Sequence, residues 1–244
     1  MRGEETTDEL KRYDLRIVQP RNGYRFSVDP LILCDFAGVQ EAVRVIDFGT
    51  GCGIIPLLLA RRSEGASVVG VEFQEGMAEL AQRNVCLNGL DRRVEIIQAD
   101  ILSLRDQFPP SSFDLVVANP PYRKSGTGRT SPKAGRDVAR HETTATLADF
   151  LDVAKYLVRT GGTISFIYHP VRLAELCSEA LRLKLAPLRL RMVHGNAAAA
   201  ARMVLLGLAK GRRGDLEVLP PLFVYEDGGE YSGEMKRILG DGNA

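Results

Sequence analysis

The residues with the clearest chemical potential are Asn119, Pro120, Pro121 and Tyr122, which follow the apolar run Phe113–Ala118. Such a run is typical of a buried parallel strand, and the two prolines would end its hydrogen-bond ladder. The Asn119 amide oxygen and the Pro120 carbonyl oxygen suit a planar amino group, and Tyr122 offers an aromatic face to a flat ring. We therefore predict that these four residues are catalytic. A Pro-Pro turn closed by a core tyrosine is the alternative interpretation.

A glycine-rich loop, Asp47 to Gly53, lies between the apolar run Val43 to Phe48 and a helix-period segment that starts at Ile54. Glycines let the backbone approach a ligand, and the N–H groups of a helix N-terminus bind anions. Asp47 would repel phosphates but attract an ammonium group. Because the amino-acid end of S-adenosylmethionine carries both charges, the loop predicts this cofactor.

Acidic residues also follow the next two apolar runs. Glu72 lies where a carboxylate would reach a ribose diol. Asp100 and Ile101 would suit the amino group and ring face of adenine. A lone acid at a strand end is most often a helix cap, but acids after three consecutive strands favour a nucleoside site. The predicted cofactor-binding residues are Asp47, Gly49, Thr50, Gly51, Cys52, Gly53, Glu72, Phe73, Asp100, Ile101 and Asn119.

The elements that must position these residues alternate along the chain. From Val43 onward, strand-length apolar runs alternate with helix-period segments, which predicts an α/β fold with a parallel sheet and helices on both faces. A helix is expected from Thr146 to Arg159 and a strand from Thr163 to Tyr168. Two later runs, Leu188 to Val193 and Arg202 to Leu208, leave no room for a helix between them and should pair antiparallel.

The two ends of the chain are expected to flank this sheet. Residues 1 to 12 are polar and should fray, whereas Ile17 to Gln19 and Tyr24 to Phe26 should form a short hairpin. Leu216 to Tyr225 should form an edge strand before a polar helix near Glu234. The predicted domains are 1–40 as a hairpin and helix flanking the active site, 41–210 as the S-adenosylmethionine-dependent domain, and 211–244 as an edge strand and helix packed on it.

Basic residues dominate the segment between Arg123 and His141, where apolar residues almost vanish, and this composition predicts an exposed loop. The formal net charge of +1 gives no global attraction to nucleic acid, so such a partner needs a local patch. Because this run starts right after the catalytic motif, we predict phosphate contacts; a solvated loop of flexible cations is the alternative. The predicted substrate-binding residues are Arg123, Lys124, Arg129, Lys133, Arg136 and Arg140.

The cysteines are scattered and form no C-x-x-C pair, which argues against zinc and against a disulfide framework. They are Cys34, Cys52, Cys86 and Cys177. The sequence has neither a leading apolar signal region nor an apolar run of membrane-spanning length. We therefore predict a cytoplasmic protein without metal or membrane partner, either monomeric or homodimeric.

The glycine loop and Asn119 to Tyr122 together resemble class I methyltransferases whose Asn-Pro-Pro-Tyr motif methylates planar amino nitrogens, in adenine of DNA or RNA or in a release-factor glutamine. Other segments resemble the bacterial family that methylates N6 of the adenine just 3′ of the anticodon in valine tRNA. They are Ile17 to Gln19, Tyr24 to Asp29, Ile55 to Leu59, Ala139 to Glu142, Leu219 to Leu222 and Glu230 to Ser232. The similarity runs from about Leu15 to Leu239.

This resemblance implies a Rossmann-like class I fold, with a mostly parallel seven-stranded sheet and a C-terminal antiparallel hairpin. It also implies S-adenosylmethionine as cofactor and N6-methylation of adenine 37 in tRNA. Cys52 replaces a small polar residue of the family, which should alter little because the backbone does the binding. Release-factor glutamine methylation would need a helical N-terminal substrate domain that residues 1–40 cannot supply.

Two further alternatives stand beside that activity. DNA adenine methylation is one, although no target-recognition domain is evident. A non-catalytic RNA-binding protein that retains the fold is the other, and the intact Asn119 and Tyr122 argue against it.

Overall fold

The computed structural model describes residues 5–21, 25–39, 43–120 and 145–240. The strands are β1 (Glu5–Leu10), β2 (Leu15–Pro20), β3 (Arg44–Phe48), β4 (Ser67–Glu72), β5 (Val94–Gln98), β6 (Phe113–Ala118), β7 (Val158–Tyr168), β8 (Leu185–His194), β9 (Ala201–Lys210), β10 (Glu217–Val218) and β11 (Leu222–Phe223). The helices are α1 (Asp29–Ala37), α2 (Ile54–Arg62), α3 (Glu75–Leu87), α4 (Leu104–Gln107), α5 (Leu147–Leu157), α6 (Leu173–Arg182) and α7 (Gly233–Leu239). Strands and helices alternate from β3 to β8, as in α/β folds.

The central sheet has nine strands, in the order β10-β8-β9-β7-β6-β3-β4-β5, with β11 also paired to β8. The strands β3 to β7 run parallel to one another, and β9 is antiparallel to both β7 and β8. The predicted α/β class, the mostly parallel sheet and the antiparallel β8–β9 pair are therefore confirmed.

The C-terminal segment differs from the single edge strand predicted over Leu216 to Tyr225. It forms the two-residue strands β10 and β11, both parallel to β8, which is why the sheet has nine strands rather than seven. Pro220 and Pro221 lie between them. Because proline has no N–H to donate to a ladder, the segment cannot pair continuously.

Apolar side chains pack on both faces of the sheet. Residues of α1, α2, α3 and α7 belong to one buried cluster, and residues of α4, α5 and α6 belong to the other. Along β3, Val45 lies in the first cluster, whereas Ile46 and Phe48 lie in the second. Since side chains alternate along a strand, Asp47 points to the same face as Val45, toward α1, α2 and α3.

The N-terminal hairpin differs from the prediction. The polar segment Glu5–Leu10 was expected to fray, but it pairs with β2 from Glu5↔Pro20 to Leu10↔Leu15. Backbone pairing and an ion pair from Glu5 to Arg83 of α3, at 2.6 Å, hold β1 in place. Arg25 and Phe26 lie outside any strand, so the predicted pairing of Ile17–Gln19 with this segment is wrong; Tyr24 lies outside the described residues.

The passage from α5 to β7 has no loop. The helix ends at Leu157 and the strand begins at Val158, earlier than the predicted start at Thr163. The pairing with β6 shifts register between Phe113↔Val158 and Leu115↔Thr163. Gly161 takes a φ of 82° in this irregular stretch, which glycine adopts without a steric penalty.

Candidate cofactor and catalytic site

The predicted site residues gather at one edge of the sheet. Phe48, the last residue of β3, pairs with Val71 of β4 on one side and with Ala118 of β6 on the other. The glycine loop, Glu72 and Asn119 therefore lie at the carboxyl ends of neighbouring strands. After β3 the chain continues to β4, which lies on one side of β3, whereas β6 lies on its other side. The strand order therefore reverses at β3. Ligands of open α/β sheets bind at such a switch point.

The glycine loop turns back tightly beneath this edge. Gly49, Gly51 and Gly53 have φ values of 75°, 57° and 85°, which favour glycine strongly. The Gly49 N–H donates to the carbonyl of Val71 at 2.8 Å, which fixes the loop to β4. A Cβ on Gly53 would lie 3.2 Å from the Cβ of Ala81, whereas a Cβ on Gly49 would meet no described atom within 4 Å. The loop is thus packed on its helix side and open at Gly49.

Asp47 is the least satisfied polar group of the site. Its side chain is fully buried, and neither its two oxygens nor the hydroxyl of Thr50 has a hydrogen-bond partner among the described residues. Burial raises the pKa of Asp47 to about 7; the nearby Thr50 hydroxyl opposes this rise and the charge of Glu72 adds to it. Burying a carboxylate without a partner is costly, so a cationic ligand group fits here. The ammonium of an amino acid has this chemistry.

Glu72 contacts the glycine loop directly. Its two carboxylate oxygens accept hydrogen bonds from the N–H groups of Gly51 and Gln74, both at 2.9 Å, and the residue is 7% exposed. Each oxygen keeps a second lone pair that a ribose hydroxyl could use. The adjacent Phe73 is 38% exposed at the same edge. Glu72 therefore supports the loop in addition to any role toward a ribose.

Asp100 caps the short 3-10 turn Ile101–Ser103. Its Oδ1 accepts a hydrogen bond from the N–H of Leu102 at 3.0 Å, which is the capping role that a lone acid at a strand end often has. Ile101 is 3% exposed and packs in the cluster of α4, α5 and α6. Their predicted contacts with adenine remain predictions.

Asn119 and Pro120 are the described part of the catalytic motif. They follow β6 directly; Asn119 is partly buried and Pro120 is buried. The rest of the predicted catalytic and substrate-binding set lies outside the described residues: Pro121, Tyr122, Arg123, Lys124, Arg129, Lys133, Arg136 and Arg140. Their roles remain predictions.

Comparison with known proteins identifies the family to which this site belongs. Residues 31–172, more than half of the chain, match the model of the methyltransferase small domain family. The chain belongs to this family. A relative from Bacteroides thetaiotaomicron, named tRNA1(Val) (adenine(37)-N6)-methyltransferase, is 33% identical over 144 residues. That alignment covers 59% of each protein, less than two thirds of the relative's length.

Further relatives agree with this assignment. A Porphyromonas gingivalis protein of the same name is 34% identical, over 76% of this chain and 73% of its own length. A crystal structure of a predicted O-methyltransferase from Agrobacterium tumefaciens superposes with a TM-score of 0.72 at 24% identity, covering 87% of this chain and 95% of that one. At that identity the likeness shows the fold, which is the methyltransferase fold.

One residue that contacts the glycine loop is not among the residues predicted from the sequence. Asn84 of α3 is fully buried, and its amide donates to the carbonyl of Cys52 in the glycine loop at 2.9 Å. A signal was available, because Asn84 follows the buried residues Leu80 and Ala81 at the spacing of one helix face. A polar residue on an otherwise apolar helix face indicates a specific buried partner.

The described part of this family member contains no group of three or more His, Cys, Asp or Glu side chains that could hold a metal ion. Within the same segments, no helix has the length and apolar character that a membrane span requires.

Proposed function

We propose that this chain transfers the methyl group of S-adenosylmethionine to N6 of an adenine in tRNA, and that the target is adenine 37 of valine tRNA. The observation that carries the proposal is the position of two groups on adjacent strands. The buried, unpartnered carboxylate of Asp47 lies one residue before the end of β3, and Asn119 and Pro120 follow the adjacent strand β6. The relatives named tRNA1(Val) (adenine(37)-N6)-methyltransferase support the choice of substrate.

S-adenosylmethionine, when bound, supplies an electrophilic methyl group on its sulfonium. Different residues of the chain would bind its amino-acid, ribose and adenine parts. The Asp47 carboxylate would pair with the ammonium of the amino-acid end. Glu72 would accept hydrogen bonds from the ribose hydroxyls. Asp100 and Ile101, with Phe73, would border the adenine.

At the substrate end, Asn119 and Pro120 would act on the exocyclic amino group of adenine. The lone pair of this nitrogen is delocalised into the ring, which makes it a poor nucleophile. Two acceptors that hold both hydrogens favour a localised lone pair on the nitrogen and orient it for in-line transfer. Tyr122 would stack on the extruded base and offset about 1 to 3 kcal/mol of the cost of unstacking it.

The basic residues that follow the motif would contact phosphates of the tRNA. Such contacts set the position of the RNA without reading its sequence. We further propose that residues 1–40 and 211–244 flank the cofactor-binding domain, residues 41–210, rather than forming domains of their own.

A methyl-transfer assay tests this function. The purified protein is incubated with S-adenosylmethionine and total tRNA from cells that lack the modification. The tRNA is then digested to nucleosides, which are identified by mass spectrometry. We expect N6-methyladenosine with the wild-type protein and almost none with Asn119→Ala. Methylation of a release factor or of DNA, with tRNA unmodified under the same conditions, would contradict the proposal.

A further inference from the structure

Asn84 joins three parts of the molecule through one buried amide. Its Nδ2 donates to the carbonyl of Cys52 at 2.9 Å and to the carbonyl of Val18 at 2.8 Å. Its Oδ1 accepts from the N–H of Val18 at 2.8 Å. Both amide hydrogens and the oxygen are thus engaged. The side chain connects α3 to the glycine loop and to β2.

The bond to Cys52 holds one peptide of the glycine loop. In a trans peptide the C=O and the N–H point in opposite directions. The Cys52 carbonyl is held by Asn84, and the N–H of Gly53 donates to the carbonyl of Thr50 at 3.0 Å. The peptide plane between Cys52 and Gly53 is therefore fixed at both ends. The same helix also contacts the loop where Gly53 meets Ala81, so α3 supports the loop at two consecutive residues.

Asn88, one helical turn after Asn84, provides a natural comparison. It holds β2 in the same way, because its Oδ1 accepts from the N–H of Arg16 and its Nδ2 donates to the carbonyl of Arg16, both at 2.8 Å. Its third bond, at 2.7 Å, goes to the backbone carbonyl of Asn84 within the helix. The two asparagines dock the same strand on the same helix, but Asn84 alone of this pair has a bond to the glycine loop.

We propose that Asn84 is a positioning residue for the cofactor. It fixes the Cys52–Gly53 peptide, and with it the loop that begins at the unpartnered carboxylate of Asp47. It also ties this loop to the N-terminal hairpin, so that the hairpin and the cofactor site form one unit. This inference rests on the proposed function, since it requires that the loop binds S-adenosylmethionine.

The test compares Asn84→Ala with Asn88→Ala, which removes the equivalent hairpin bonds and spares the loop. Calorimetric titration with S-adenosylmethionine, tRNA binding at one fixed salt concentration and the methyl-transfer rate at saturating cofactor are measured for both. We expect Asn84→Ala to weaken cofactor affinity about tenfold, and Asn88→Ala to change it by less than about threefold. The rate at saturating cofactor and the tRNA affinity should stay within about threefold of wild type for both, because the loss lies in cofactor binding.

Thermal unfolding of both variants shows whether their losses of stability are comparable. Should Asn84→Ala not fold, Asn84→Ser takes its place with the same expectation, because its shorter side chain cannot reproduce the three bonds that Asn84 makes to Cys52 and Val18. Equal weakening of cofactor binding by the Asn84 and Asn88 variants would overturn the inference and leave Asn84 as a hairpin-docking residue. A wild-type protein that does not bind S-adenosylmethionine would instead overturn the proposed function, and the inference with it.

Discussion

The buried carboxylate of Asp47 makes the stability of the ligand-free protein depend on pH. Its pKa is raised to about 7 in the folded protein, whereas an aspartate in the unfolded chain titrates near 4. Between these values the folded state binds a proton that the unfolded state does not. The free energy of unfolding therefore falls as pH rises from about 4 to 7, by up to roughly 4 kcal/mol from this group.

Asp47→Asn removes this ionisation. We expect the variant to gain stability relative to the wild type as pH rises through this window, and to lose S-adenosylmethionine affinity. Urea denaturation of both proteins at four pH values between 4 and 8 measures the difference, and Asp106→Asn, at an exposed aspartate on α4, is the control. A difference between the Asp47 variant and wild type that does not change with pH would contradict the prediction.

Asn119 should act on turnover more than on binding. If its amide oxygen holds the amino group mainly as the nitrogen rehybridises, the contact is stronger in the transition state than in the ground state. Asn119→Ala should then slow methyl transfer on the order of a hundredfold, as the loss of an oxyanion-hole donor does, and change tRNA affinity little. Single-turnover rates and tRNA dissociation constants at one salt concentration decide this. Near-normal turnover by the variant would remove Asn119 from the catalytic set.

At the residue scale, the sequence could place residues at one edge of the sheet but could not predict their contacts. Asp47 and Glu72 could be placed because each lies at the end of an apolar run, and the carboxyl ends of parallel strands share an edge. The bonds from Glu72 to Gly51 and Gln74, and those of Asn84, could not be predicted. They depend on how separate segments pack, which neither spacing nor residue type specifies.

Among the elements, α5 carries a capping box at its first turn. The N–H of Asp149 donates to the Thr146 hydroxyl at 3.3 Å, and the Asp149 carboxylate accepts from the Thr146 N–H at 2.7 Å. Thr146→Ala should lower the free energy of unfolding by about 1 kcal/mol, and Thr146→Ser, which keeps the hydroxyl, should lower it much less. Urea denaturation measures both. Equal losses would show that the Thr146 methyl group, rather than its hydroxyl, stabilises the helix.

The sequence predicted elements well where burial determines them. The strands β3 and β6 are apolar runs, and their positions agree with the predicted runs Val43 to Phe48 and Phe113–Ala118 within one residue. The same reasoning did not predict β1, because this strand is polar. Its pairing with β2, rather than burial of its side chains, holds it in place. Likewise, β10 and β11 are too short to give a pattern, and only their partner β8 defines them.

For the molecule as a whole, a net charge of +1 means that the proposed tRNA binding must depend on where the positive charges lie. Replacing Arg129, Lys133 and Arg136 together by alanine should weaken tRNA binding. It should also flatten the log–log dependence of affinity on salt, by about 0.7 to 0.9 for each phosphate that the variant no longer neutralises. Fluorescence anisotropy at several salt concentrations measures the slope.

A matched control removes three other positive charges. Arg92, Arg212 and Arg213 are exposed and lie at the opposite, amino edge of the sheet, before β5 and after β9. Their replacement by alanine lowers the net charge equally and should leave the salt slope nearly unchanged. If both triple variants flatten the slope to the same extent, the binding reflects total charge, and the basic run has no special role.

The short strands β10 and β11 also affect how the protein behaves toward other copies of itself. An uncovered β8 would present a row of free backbone groups to which another chain could add a strand, the usual start of aggregation. Instead, the carbonyls of Leu190 and His194 accept hydrogen bonds from Leu219 and Val224, at 2.8 and 2.9 Å. The covering segment offers poor pairing in its turn, because Pro220 and Pro221 interrupt its donors. The chain thus closes this side of its sheet with a segment that discourages further growth.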